Sequence, residues 1–241
     1  MNDDFTRIEY TSSVDGLRDW AMRREGAPGS PLVVVMHGHG SHGDQLLTRR
    51  DISELWLPHL RAADVGVLCP NLRDNAWMSP AAVEDLAAML RRERAAVPNR
   101  RLVITGGSMG GTGVFIFAMR HPELADACLA TGAATALDAY MEWLAQPGRE
   151  HLCGLLEALQ AAYPDKAARD AHSVALHADA LPSVPIIYVH GGADEIIPTE
   201  QAHLLTAQMA SRPNFRYVEV PDGNHDSPLW SYNDALDTLL T

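Results

Sequence analysis

Cysteine is scarce in this chain: three residues, Cys69, Cys128 and Cys153, among 241. They are too few and too scattered for a disulfide framework, and Cys69 and Cys128 lie in apolar runs, so they read as buried thiols of a reducing compartment. Long hydrophobic runs are missing as well, and none approaches the length needed to span a bilayer. Positive charge is thin: 19 Lys and Arg face 31 Asp and Glu, a formal net charge of -12. Such a surface repels phosphate backbones and anionic lipid headgroups, so neither nucleic acid nor membrane is an expected partner. The densest basic cluster, Arg91, Arg92 and Arg94, shares its segment with Glu84, Asp85 and Glu93 and reads as a solvated helix face. The N-terminal stretch MNDDFTRIEY has neither a basic leader nor a following apolar segment, which makes a cytoplasmic location the expectation. Internal repeats and low-complexity tracts are also lacking.

What is present is the composition of an ordinary globular protein, with 46% hydrophobic and 21% charged residues. A chain of this length can bury a substantial core, and a single domain over residues 1–241 is expected. Two extended segments, residues 6–12 and 17–24, flank an Asp15-Gly16 turn signal and predict an antiparallel hairpin. Five apolar runs follow, at residues 32–36, 65–69, 102–105, 127–130 and 186–189. Strands apolar at every position belong in a parallel sheet covered on both faces. A last strand, residues 215–220, alternates more and suits an edge. Ser79-Pro80 opens a helix whose Val83, Leu86, Ala87 and Leu90 share one face. Thr199 opens another with Ala202, Leu205 and Met209 on one side, and residues 229–240 close the chain as a helix. This alternation of strand and helix predicts an α/β fold with right-handed crossovers, about eight strands in a mostly parallel, twisted sheet flanked by helices. Residues 132–183 far exceed the dozen or so a crossover needs. Segments 137–144 and 152–163 look helical, so residues 134–180 form either a small helical cap or an excursion packed beside the sheet, ahead of the next strand.

Gly106-Gly107-Ser108-Met109-Gly110 stands where the strand at 102–105 must pass directly into a helix. This is the GxSxG nucleophile elbow pattern, in which glycines let strand and helix approach and the serine sits exposed at the turn. A serine hydroxyl needs a base to remove its proton, and the base needs an acid to hold its tautomer. Asp194, in HGGADEIIP directly after the strand at 186–189, and His225, in PDGNHDSP directly after the last strand, follow Ser108 in the order such a site requires. Asp222 and Asp226 flank His225 without following the preceding strand, so Asp194 is favoured for the acid's place. His37, His39 and His42 lack a Cys or carboxylate partner at metal-site spacing, and no metal is expected. The glycines around Ser108 lack a Walker lysine or a dinucleotide acid, so no nucleotide cofactor is expected either.

The motifs VVVMHGHG, ITGGSMGG, VHGGADEIIP and VPDGNHD, in this order, resemble the α/β-hydrolase superfamily, and within it the esterase and prolyl-oligopeptidase catalytic-domain branch. The resemblance implies Ser108 as nucleophile, Asp194 as acid and His225 as base. It also implies an oxyanion hole of two backbone amides, Met109 and, from the loop after the first parallel strand, His39. Because His37-Gly38-His39-Gly40 departs from the HGGG of many lipases and esterases, Gly40 is the alternative donor. Trp77, Tyr140 and Trp143 are candidate pocket-lining residues, and Arg73 is a candidate partner for an anionic substrate group. The expected activity is hydrolysis of small carboxylic esters through an acyl-enzyme. A prolyl-oligopeptidase-type peptidase and a non-catalytic binding protein on the same scaffold are the alternatives.

Overall fold

The computed structural model describes residues 4–241. Its eight strands are β1 (Thr6–Thr11), β2 (Arg18–Arg24), β3 (Leu32–Met36), β4 (Gly66–Pro70), β5 (Leu102–Gly107), β6 (Ala127–Thr131), β7 (Ile186–Gly191) and β8 (Phe215–Val220). They form one sheet in the order β1-β2-β4-β3-β5-β6-β7-β8. The hairpin β1–β2 is antiparallel and joins the sheet antiparallel to β4, while every pairing from β4 to β8 is parallel. β3 and β5 run in register from Leu32 opposite Leu102 to Met36 opposite Gly106, so both strands end side by side at the same edge.

The two faces of the sheet are dictated by the period of two along each strand. Val34, Met36, Leu102, Ile104, Ala130 and Tyr188 point into one core, whose cover includes α3 (Pro80–Ala96) and α4 (Met109–Arg120). Val33, Val35, Val103, Leu129, Ile187 and Val189 point into the other. There the cover comes from α2 (Arg50–Ala62), preceded by the short α1 (Gln45–Thr48), and from the C-terminal α9 (Tyr232–Leu240). Trp56 of α2 stacks on Tyr232 of α9 at 3.7 Å between ring centroids, and Tyr232 hydrogen-bonds Thr105 of β5.

Residues 45–62 carry no expected helix in the sequence reading, and α2 is therefore a new element. Pro58 inside it removes one backbone donor and argues locally against a helix. The buried face Ile52, Trp56 and Leu60, packed against the sheet, outweighs that local cost.

The long segment before β7 holds α5 (Leu137–Leu144), α6 (Cys153–Ala162) and α7 (Lys166–His172). It shares the first core rather than having its own, since Tyr140, Leu144, Leu159 and Tyr163 belong to the same cluster as Met36 and Ile104. Buried hydroxyls tie it down: Tyr140 donates to Ile196 O at 3.0 Å, and Tyr163 reaches the carbonyls of Trp77 and Met78 at 2.8 and 2.6 Å. The remaining helix, α8 (Glu200–Met209), leads from the β7 loop to β8 with Ala202, Leu205 and Met209 buried as the periodicity requires. No helix among the described residues is long and apolar enough to cross a membrane.

Candidate active site

The elbow forms because β5 ends where α4 must begin, with no loop between them. Ser108 takes φ 59° and ψ -122°, a strained backbone for a residue with a side chain. Its amide donates to Thr131 O at 2.8 Å and its carbonyl accepts from Thr112 N at 2.9 Å, so neighbours on β6 and α4 enforce the turn. A methyl group at Gly106 would stand 2.6 Å from the Gly110 carbonyl carbon and oxygen, and one at Gly110 would collide with the Met36 carbonyl. Glycine is thus required at both positions by close approach.

The loops after β7 and β8 bring the other two residues to Ser108. His225 Nε2 lies 2.9 Å from Ser108 Oγ, and its Nδ1 lies 2.7 Å from Asp194 Oδ2. A carboxylate accepts only, so Nδ1 carries the proton and Nε2 is free to accept from the serine hydroxyl. The Asp194 side chain is fully buried, and its Oδ1 accepts from the amides of Ile196 and Ile197 at 2.8 and 2.9 Å. Behind it stands His190, also fully buried, with Nε2 at 3.4 Å from Asp194 Oδ2 and 2.9 Å from Ile197 O. Burial pushes the His190 imidazole below its ordinary pKa. The His225 ring packs against Gly132, where an added methyl would sit 3.3 Å from the ring.

The loop after β3 presents its amides differently at each residue. Gly38 N–H donates to the buried Gln45 Oε1 at 3.3 Å, and Gly40 N–H donates to Asn75 Oδ1 at 2.7 Å. The amides of His39 and of Met109, the first residue of α4, have no acceptor among the described residues. The His39 ring contacts Trp77, whose Nε1 donates to His39 Nδ1 at 3.3 Å, and burial lowers its pKa, with His37 adding to the effect. His37 is buried between the carbonyls of Gly38 and Asn71, and His42 faces Asp74, so the three histidines look toward separate partners.

A cleft of about 400 Å³ opens over Ser108. Gly38, His39 and Thr131 border it beside the serine; Arg49, Ile52, Trp56 and Leu229 form one wall; His151, Leu152, Gly154 and Leu155 come from the long segment opposite. Asp226, weighed in the sequence as an alternative acid, lies on the cleft rim, where its Oδ1 is 3.5 Å from Arg49 Nη2.

None of the three aromatic residues expected to line the pocket does so. Trp77 and Tyr140 are core residues, and Trp143 lies outside the cleft with Arg149 stacked at 4.0 Å over its ring. Their positions in loop and segment suited a pocket mouth, but α5 docks with Tyr140 inward against Trp77. Arg73 is likewise committed to structure: it pairs with Asp85 of α3 and with Asp15 and Ser12 of the hairpin turn. Of the lining residues that sequence reasoning missed, Arg49, Ile52 and Trp56 recur at steps of three and four. That helical spacing is the signal that would have found them.

The sequence model of the family described as alpha/beta hydrolase fold matches residues 31–150. No curated protein sequence matches the chain. Among solved structures, an esterase from Pyrococcus furiosus superposes with a TM-score of 0.72 at 15% identity, over 100% of this chain and 96% of that one. The fluorophosphonate-binding serine hydrolase F of Staphylococcus aureus, in a substrate-bound state, gives 0.68 at 14% identity over 98% of both chains. A puromycin-hydrolyzing peptidase of Mycobacterium tuberculosis gives 0.73 at 18% identity, over 98% of this chain and 39% of that one. At these identities the likeness is one of fold. The eight-stranded sheet with its antiparallel hairpin, the strand–serine–helix turn and the family match together show that this chain has the α/β-hydrolase fold.

Proposed function

We propose that the protein is a serine hydrolase that cleaves small carboxylic esters through an acyl-enzyme. The observation that carries this is the chain of contacts from Ser108 Oγ to His225 Nε2 at 2.9 Å and from His225 Nδ1 to Asp194 Oδ2 at 2.7 Å. Ser108 attacks the ester carbonyl while His225 takes its proton, and Asp194 holds the imidazole and stabilises the imidazolium. The amides of His39 and Met109 receive the developing oxyanion, a role supported by their lack of any other acceptor among the described residues. His225 then returns the proton to the leaving alcohol, the ester C–O bond breaks, and water repeats the sequence on the acyl-enzyme. His39 is favoured over Gly40 as the second donor because Asn75 already occupies the Gly40 amide.

Residues 134–180 act in this reading as a fixed cap. Leu152, Gly154 and Leu155 border the cleft while buried hydroxyl contacts anchor the segment to the core.

The test is turnover of p-nitrophenyl esters beside dipeptidyl chromogenic amides. Ester cleavage is expected, with Ser108→Ala losing about a thousandfold or more in kcat. A folded Ser108→Ala protein with normal turnover overturns the mechanism. Preferential cleavage of the amides supports the peptidase, and failure of Ser108 to label with a fluorophosphonate supports a binding protein.

A further inference from the structure

Arg49 is the one Lys or Arg side chain among the described residues that line the Ser108 cleft. It stands at the start of α2, on the face shared with Ile52 and Trp56, so an apolar wall ends in a single guanidinium. Its orientation is held from behind. Nε donates to both Asp51 oxygens at 2.9 and 3.1 Å, and Nη2 donates to Oδ2 at 2.7 Å. Asp51 is itself fixed by the Ile52 amide, which donates to its Oδ1 at 3.0 Å.

Nη1 has no acceptor among the described residues. It lies 3.8 Å from where a methyl group on Gly38 would stand, a point that is itself 3.7 Å from Ser108 Cβ. The free edge of a clamped guanidinium is therefore presented beside the nucleophile. The second contact, to Asp226 Oδ1, is at 3.5 Å and involves a carboxylate that is mostly exposed. Such a bond is long enough for a competing anion to replace.

We infer that Arg49 recognises a carboxylate carried on the acyl chain of the substrate, so that the enzyme acts on monoesters of dicarboxylic acids. The apolar stem lies along Ile52 and Trp56, and the terminal carboxylate takes the Nη1 edge and displaces Asp226. Charge-assisted pairing of this kind is directional and strong where the guanidinium is already held in place. The inference rests on the ester-hydrolase reading of the Ser108 site.

Two six-carbon substrates that differ only at the chain end test it: mono-p-nitrophenyl adipate and p-nitrophenyl hexanoate. The ratio of their kcat/KM values is read within each protein. Arg49→Met is expected to lower the adipate-to-hexanoate ratio about tenfold or more, and Arg49→Lys to restore part of it. Asp226→Asn, which removes the competing carboxylate, is expected to raise the ratio. An unchanged ratio in Arg49→Met overturns the inference. Hydrolysis of neither ester overturns the ester-hydrolase reading instead, and a binding measurement then decides on Arg49. The monomethylamide of adipic acid should bind the Ser108→Ala protein by calorimetry and fail to bind Ser108→Ala/Arg49→Met. No binding, or equal binding to both, overturns the inference.

Discussion

Asp194 carries the most exacting position of any side chain in the site. Its two oxygens divide their work: Oδ1 is held by the amides of Ile196 and Ile197, which leaves Oδ2 for His225. This division fixes the imidazole tautomer, because an oxygen that can only accept, set opposite Nδ1, keeps the proton there. Asp194→Asn preserves the shape but can offer an N–H to Nδ1, which moves the proton to Nε2 and leaves the serine without a base. The expected loss in kcat on an ester is about a thousandfold to ten-thousandfold, with much less change in KM. Steady-state kinetics on the folded variant check this, and an Asp194→Asn enzyme within tenfold of the parent would remove Asp194 from the mechanism.

At the scale of elements, the cleft is made where two segments face each other across the sheet edge. α2 contributes Ile52 and Trp56, and the start of α6 contributes Gly154 and Leu155. Gly154, on the cleft border, has no neighbour among the described residues within 4 Å of where a side chain would begin, so a large residue there meets open space rather than packed core. Gly154→Phe is expected to shorten the usable pocket. Turnover of p-nitrophenyl octanoate should fall about tenfold or more relative to p-nitrophenyl acetate, the size of discrimination that a few buried methylenes supply. An unchanged chain-length profile would mean that longer acyl groups leave by another side. The hairpin is held by a different kind of contact. Arg73 bridges Asp85, whose side chain is 1% exposed, to Asp15 in the β1–β2 turn, and so joins the antiparallel edge to α3.

Across the whole molecule, the sheet separates two cores, and one buried cysteine lies in each. Cys128 belongs to the core beneath α4, and Cys69 to the one beneath α2 and α9. Burial pushes the Cys128 thiol up to about 12 and the Cys69 thiol well above its ordinary range. The thiolate is the reactive form, so both are inert at neutral pH, whereas Cys153 at the start of α6 is exposed. Titration with Ellman's reagent is expected to report one fast thiol in the native protein and all three only after unfolding. Rapid reaction of a second thiol in the native state would show that one of the cores opens.

How much of this was legible along the chain depends on the range of the cause. The succession of strands along the chain, burial on both faces and the elbow were readable because each is encoded locally, by apolar runs, by alternation and by glycine at points of close approach. The positions of Asp194 and His225 were readable because each directly follows a strand that must end at the same sheet edge. α2 was hidden by Pro58, and Trp77, Tyr140 and Trp143 were misassigned because an aromatic in a loop or helix looks the same whether it faces cleft or core.

By itself, then, the sequence determined the strands of the sheet, the turn at Ser108 and the order of Ser108, Asp194 and His225 along the chain, since backbone sterics and hydrophobic periodicity act over a few residues. Tertiary structure alone decided which residues wall the cleft and which amides of His37-Gly38-His39-Gly40 are already engaged. The acceptors that engage Gly38 and Gly40 come from Gln45 and Asn75, and the cleft walls from α2 and α6. Only packing of elements distant in sequence brings those groups together.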